Sequence, residues 1–254
     1  MRPFVTVIVL LSGGQDSTTC LFWAARQFEP DRIVALSINY GQRHAAELES
    51  AEKVVEVFKA HHPKIEVVRE VVNVGPILAG TSPLTDHSRA VGTYEGVKAL
   101  PGGLEATFVP GRNILFLTLA GNRAVVYEAQ HVVTGTAQED FGGYPDCRAD
   151  FIDRMERALD YGLFLEREQG KIKLWTPLMF LTKAETVGMA AGLEGCVEAL
   201  AFSHTCYQGA VPPCGSCHAC LLRGKGFRAA GLEDPLVTRL KAEGRLDPSW
   251  TYPE

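Results

Sequence analysis

Along residues 5–11 the chain is apolar at every position but Thr6, and that short, largely β-branched run reads as a buried strand. Ser12-Gly13-Gly14-Gln15-Asp16-Ser17 follows it, and residues 18–28 carry the spacing of an amphipathic helix, so the opening predicts strand, glycine turn and helix. A second β-branched run over residues 32–38 leads into Asn39-Tyr40-Gly41-Gln42-Arg43-His44, then a helix with Leu48, Ala51, Val54, Val55 and Phe58 on one face. Residues 65–72 read as a third strand. Strands alternating with helices predict an α/β fold with a doubly wound, mainly parallel sheet. Residues 75–105, rich in Gly, Pro, Ser and Thr, break the rhythm and read as a long loop or lid.

The rhythm then resumes. Arg112-Asn113 opens a helix over residues 114–130, residues 131–135 read as a strand, and Gly142 to Asp146 as a turn. Residues 150–163 have helical spacing and Leu174-Trp175 marks a short last strand. Thr182 with Glu185 three positions on is a capping box, opening a helix that runs to about Gly192. The sheet domain is expected over residues 1–200, with residues 201–254 as a small C-terminal appendage. No internal repeat or low-complexity segment interrupts this plan.

Composition changes the picture only at its margins. At 254 residues, 46% hydrophobic and 22% charged, the chain suits one large soluble unit with ample core. Its net charge of -5 argues against a protein whose main task is neutralising nucleic-acid phosphates. No apolar run approaches the roughly 20 residues that span a bilayer, and a cytoplasmic location is expected. Of seven cysteines, four crowd into residues 206–220, and in a reducing compartment clustered thiols point to metal.

The glycine turn is the first candidate site. The first turn of a helix leaves backbone N–H groups without intrahelical partners at the positive end of the macrodipole, where an anion is stabilised. Gly13 and Gly14 have no side chain to block a phosphate, and Ser12, Ser17 and Thr18 offer hydroxyls. The Gly-x-x-x-x-Gly-Lys-Ser/Thr loop of γ-phosphate hydrolases, with its lysine, is absent. The order Ser-Gly-Gly-x-Asp-Ser instead resembles the loop of the ATP pyrophosphatases (PP-loop superfamily), which release AMP and pyrophosphate while adenylating an oxygen of their substrate. The expected nucleotide set is Leu11, Ser12, Gly13, Gly14, Gln15, Asp16, Ser17, Thr18 and Thr19, with Asp16 as a candidate for Mg²⁺.

Cys206, Cys214, Cys217 and Cys220 form the second site, with seven, two and two residues between them. Four thiolates describe a closed, structural Zn²⁺ tetrahedron, an iron–sulfur cluster being the competing occupant. His204 and His218 lie nearby but are expected behind the ligands or at the surface. Cys20 and Cys196 are expected as buried hydrophobes, while Cys147 sits between Asp146 and Arg148 in a candidate substrate loop.

Residues 12–20, 39–44, 107–117 and 143–148, with the four-cysteine tail ending in Leu221-Leu222-Arg223-Gly224-Lys225-Gly226, together resemble the 7-cyano-7-deazaguanine synthase family. The resemblance spans nearly the whole chain, with the motifs in family order. It implies an adenine nucleotide α-hydrolase-like fold and ATP-dependent conversion of 7-carboxy-7-deazaguanine and ammonia to the nitrile, a precursor step of queuosine in tRNA. It also implies Mg²⁺ for the nucleotide and structural zinc on Cys206, Cys214, Cys217 and Cys220. Two places depart from the pattern: Gly142 stands where the family commonly has serine, and residues 137–140 are only loosely similar.

Chemistry assigns the remaining candidates. Asp16 and Ser12 serve the phosphates, and Lys183 and Arg112 are cations for charge developing on pyrophosphate. Asp146, Glu139 or Asp140 can accept the adjacent N–H donors of a deazaguanine, Tyr144 can stack on its ring, and Arg148 suits its carboxylate. For Asp146 the competing reading is a cap on the helix that follows. Gln42 and Arg43, with Tyr40 and His44, fall at the carboxyl end of the second strand, where open α/β sheets bind ligands. His44 is a candidate for carrying a proton from ammonium. The expected partners are small molecules, with no stable nucleic-acid or membrane binding, and the expected assembly is a homodimer. A tRNA-thiolating pyrophosphatase, a nucleotide-sensing module without turnover, and a relative joining the activated carboxylate to another amine are the alternatives.

Overall fold

A computed structural model describes residues 2–41, 45–86, 88–89, 107–138, 144–163 and 171–253. Strand β1 (Thr6–Leu10) is followed by helix α1 (Gln15–Phe28), β2 (Arg32–Asn39), α2 (Ala45–His61) and β3 (Glu66–Asn73). After a described stretch without helix or strand come α3 (Arg112–Val126), β4 (His131–Val133), α4 (Ala149–Gly162), β5 (Lys173–Trp175) and α5 (Lys183–Ala191). Three further helices complete the described chain: α6 (Cys196–Leu200), α7 (His218–Ala229) and α8 (Pro235–Ala242). The five strands form one parallel sheet in the order β3-β2-β1-β4-β5.

β1 is central because its side chains are buried on both faces, which is why residues 5–11 read as a continuous apolar run rather than an alternation. Val7 and Val9 join Ile33 and Ala35 in a core against α1, α2 and α6. Ile8 joins Val34, Leu36 and Val132 in a second core with Leu117 and Ala120 of α3 and Ile152 and Leu159 of α4. Phe22 and Phe58 meet edge to face at 5.0 Å in the first core. Each such ring, fully buried, contributes about 1.5–3 kcal/mol.

The order of the strands decides where a ligand can sit. The chain steps outward from β1 to β2 and β3, then returns to place β4 on the other side of β1. The crevice at the carboxyl ends of β1 and β4 is therefore the topological switch point, where open α/β sheets bind their ligands.

Several expected boundaries shift. α1 begins at Gln15, three residues before the expected start, so Gln15, Asp16 and Ser17 belong to its first turn. α3 ends at Val126 instead of 130, because Glu128 adopts a left-handed backbone. β4 stops at Val133, two residues early. Helices α6, α7 and α8 were not anticipated in a segment dominated by cysteine, glycine and proline. The Thr182–Glu185 capping box is present in both directions. Of the expected loop at 75–105, the described residues 75–86 hold no helix or strand, yet Ser82, Leu84 and Thr85 are buried.

The cysteine region packs onto the sheet domain. Gly226 of α7 faces the start of α5 so closely that a Cβ there would lie 2.9 Å from Lys183 Cβ. The fully buried Arg223 donates to both carboxylate oxygens of Asp234 at 2.6 and 2.8 Å, to Ser203 Oγ at 2.8 Å and to the Leu200 carbonyl at 3.1 Å. Tyr252 completes the arrangement by donating its hydroxyl to Asp234. The buried pair thus ties α7 to the start of α8, and the Arg223 bond to the Leu200 carbonyl ties both to the end of α6.

Candidate functional site

A cavity of about 300 Å³ opens at the switch point, within the range of small-molecule sites. Leu11, Ser12, Gly14, Gln15, Asp16 and Ser17 form its floor, Thr134 to Ala137 one side, and Tyr40, Glu47, Arg112, Tyr144 and Cys147 the other. Lys183, His204, Tyr207, His218 and Leu222 close it from the C-terminal side.

The floor is built for a ligand rich in acceptors and donors. Gly14 caps α1 without any side-chain hydrogen bond, leaving the helix N-terminus open. Ser12 and Ser17 hold the turn, their hydroxyls 3.1 Å apart and Gly14 N–H donating to Ser12 Oγ at 3.2 Å. Gly13, at φ +90°, cannot be replaced, because a Cβ would overlap the Glu47 carbonyl and sit 2.7 Å from the Ala51 nitrogen. Buried polar atoms are normally paired. Here Gln15 Nε2, Asp16 Oδ1, Thr136 Oγ1 and His204 Nε2, all on lining residues, are buried with no partner among the described residues. That concentration fits a nucleotide and its cation, for which Asp16 Oδ1 supplies a carboxylate oxygen. The other oxygen, Asp16 Oδ2, accepts from Lys183 Nζ at 2.7 Å.

Across the cavity, charge is set by burial and neighbours. Burial pushes the Glu47 carboxyl up to about 8, with Arg112 pulling it back. Burial disfavours the Arg112 cation, but Tyr40, Cys147, Asp146 and Tyr144 around it raise its pKa, so it stays charged. Burial also raises Tyr40 and lowers His204.

The sequence candidates divide on this geometry. Gly13, Thr18 and Thr19 are not in the cavity lining: Gly13 packs on α2, Thr18 is fully buried, and Thr19 Oγ1 donates to the Gln15 carbonyl at 3.0 Å. Lys183 and Arg112 both line the cavity. Tyr144 does too, its hydroxyl 2.7 Å from Thr107 Oγ1. Asp146 is buried outside the lining and does not cap the helix that follows: its Oδ2 accepts from Asn113 N at 3.3 Å, in the first turn of α3. Arg148 is exposed and outside the lining. Gln42, Arg43, His44, Glu139, Asp140 and Gly142 lie outside the described residues. His204 and His218, expected behind the ligands or at the surface, are buried and line the cavity. Glu47, Thr136 and Leu84 were missed as site residues; only the position of Glu47, three residues past His44, hinted at it.

Cys206, Cys214, Cys217 and Cys220 bring four sulfurs within 4.8 Å of one another. A single ion with metal–sulfur bonds near 2.3 Å separates its thiolates by roughly 3.8 Å; Cys214 and Cys220 Sγ lie 3.9 Å apart. The Cys214 and Cys217 amides point at Cys206 Sγ and Cys214 Sγ, at 3.5 and 3.4 Å. Cys206, Cys217 and Cys220 are buried, and that many thiolates so close need a cation. The cluster therefore fits one metal ion. Among the described residues all seven cysteines are free of disulfides. Burial pushes Cys20 up and Cys196 up to about 12, keeping both as inert thiols. No described helix is long and apolar enough to cross a membrane.

A family model described as queuosine biosynthesis protein QueC matches residues 6–231. The 7-cyano-7-deazaguanine synthase of Chromobacterium violaceum is 47% identical over 242 residues, covering 94% of this chain and 95% of its own. That of Gloeobacter violaceus is 47% identical over 231 residues, covering 90% and 94%. Among solved structures, the U34-tRNA thiolase NcsA from Methanococcus maripaludis with its [4Fe-4S] cluster is similar at 14% identity and a TM-score of 0.44, covering 95% of this chain and 68% of that one.

Proposed function

The chain belongs to the family described as queuosine biosynthesis protein QueC, and on that premise we propose that it converts 7-carboxy-7-deazaguanine and ammonia to 7-cyano-7-deazaguanine, consuming ATP and releasing AMP and pyrophosphate. The observation that carries this reading is the single cavity in which the Ser12–Ser17 turn, with its unpartnered polar atoms, faces Arg112 and Tyr144.

A carboxylate becomes a nitrile only by losing both oxygens, and neither leaves unaided at neutral pH. Each is made a leaving group in turn: adenylation of the carboxylate lets ammonia form the amide, and adenylation of the amide oxygen lets AMP depart as the nitrile forms. The protein contributes position and charge. The open N-terminus of α1 and the Ser12 and Ser17 hydroxyls hold phosphate, and Lys183 neutralises the departing pyrophosphate. Mg²⁺, when bound, shields the phosphates, and Asp16 would hold it. Arg112, inside the cavity beside Tyr144, takes the substrate carboxylate in preference to Arg148, and Tyr144 stacks on the base. Asp146 supports this wall through Asn113. The cysteines hold zinc as a closed structural site. The working protein is a cytoplasmic homodimer in this reading, an assembly that light scattering measures directly.

The test is stoichiometric. One nitrile should appear with two AMP and two pyrophosphate, and the 7-amido compound supplied alone should consume one ATP per nitrile. ADP as product, or an amide that is not carried forward, overturns the mechanism. Elemental analysis should find one zinc per chain; iron with acid-labile sulfide overturns that assignment.

A further inference from the structure

Ammonia at neutral pH is almost wholly ammonium, which has no lone pair with which to attack. A cavity group that takes a proton from bound ammonium turns that abundant species into the nucleophile. Among the described residues that line the cavity, only Asp16 and Glu47 are carboxylic acids, and Asp16 is engaged by Lys183 at 2.7 Å. Glu47 has a different setting. It lies in the first turn of α2 with its backbone pressed against Gly13, so its place relative to the glycine turn is fixed. It shares the cavity lining with Arg112 at the start of α3 and Tyr40 just beyond β2, the charged and titratable groups that act on it among the described residues.

We propose that Glu47 takes the proton from ammonium in the amide-forming half-reaction, an inference that rests on the reaction proposed above. The location is consistent with both charges involved. Arg112 pulls the Glu47 carboxyl down against the effect of burial, favouring the anion that draws ammonium into the cavity and accepts its proton. Burial holds its carboxyl at about 8, near enough to ammonium for the proton to pass at little cost. In the step itself ammonium gives one proton to Glu47 and becomes ammonia. The nitrogen lone pair forms the C–N bond, and the C–O bond to AMP breaks with its electron pair leaving on the AMP phosphate. The second proton lost by nitrogen passes to water, and Glu47 then returns its own proton to solvent.

Glu47→Gln tests this, and because the fold favours the uncharged carboxyl, the amide should be tolerated; a thermal melt checks it. Carboxylate-dependent exchange of pyrophosphate into ATP reports adenylation without ammonia and should stay within about threefold of wild type. Amide formation from ammonium at pH 7.5 should fall about a hundredfold. Hydroxylamine, largely uncharged at that pH, needs no prior deprotonation, so hydroxamate formation should stay within about threefold; Glu47→Asp should recover part of the ammonium rate. Unchanged ammonium use, or equal losses with ammonium and hydroxylamine, or loss of exchange, overturns the role. In the wild type, the rate per unit of free ammonia should fall above about pH 8, and a flat profile overturns it without any variant. No exchange by wild-type protein would instead sink the parent reaction.

Discussion

Two ion pairs of the same chain are built to opposite ends. Arg223 and Asp234 are buried to 1% and 4% exposure, meet through two hydrogen bonds, and have their remaining capacity taken up by Ser203, the Leu200 carbonyl, Tyr252 and the Leu236 amide. Lys183 and Asp16 meet through a single 2.7 Å contact at the cavity floor, with 17% and 25% of their side chains exposed, and Asp16 Oδ1 is buried without a partner. A pair in which every polar atom has a partner fixes two segments together. A pair that leaves an oxygen unsatisfied beside other orphaned polar atoms is set to exchange partners when a ligand arrives.

The largest effect should come from breaking the exchangeable pair. Asp16→Asn and Lys183→Met should each lower turnover about a hundredfold, while urea denaturation midpoints move little; wild-type rates in folded variants would remove the pair from the mechanism. The satisfied pair should do the reverse. Asp234→Ala leaves the Arg223 cation buried and unpaired, which costs about 3–5 kcal/mol, read as a lower midpoint in urea. Cys217→Ser should destabilise the same region, since metal binding contributes directly to folding, and should abolish the one-to-one metal content. If the two regions are mechanically joined, Gly226→Ala sharpens the comparison: the added methyl meets Lys183, costs about 1–3 kcal/mol by overpacking, and should lower turnover by displacing that lysine.

The smallest effect is a slope with pH. The Glu47 carboxyl is raised from 4.5 to about 8 in the fold. Its contribution to stability is therefore fully present below the unfolded value and is lost as pH rises through about 8. The melting temperature of the ligand-free protein should fall more steeply from pH 5 to 8 in wild type than in Glu47→Gln, and parallel curves would show that the carboxyl is not held neutral.

Local pattern made the sheet legible. The five strands and the helices between them follow from alternating apolar runs, the Thr182–Glu185 box and the glycine turn, because these rest on contacts within a few residues or on burial of a whole face. The turn and the four cysteines were readable for the same reason: each is a short spacing with its own chemistry. Helix α7 was not, since it is held by packing Gly226 on Lys183 and burying Arg223 rather than by helix-forming sequence.

Contiguous segments alone carry the strand–turn–helix with its open helix N-terminus and the thiolate set that suits one metal ion. Which distant residues face them follows from packing. It turned Asp146 onto the first turn of α3, put Arg112 rather than Arg148 in the cavity, brought His204 from the cysteine segment to the glycine turn through its amide on the Gly13 carbonyl, and set Glu47 beside Arg112. Those placements depend on strand order and on how closely α2, α3, α5 and α7 approach the sheet, and burial, which shifts the Glu47 carboxyl most, is a property of the packed molecule and not of any run of residues.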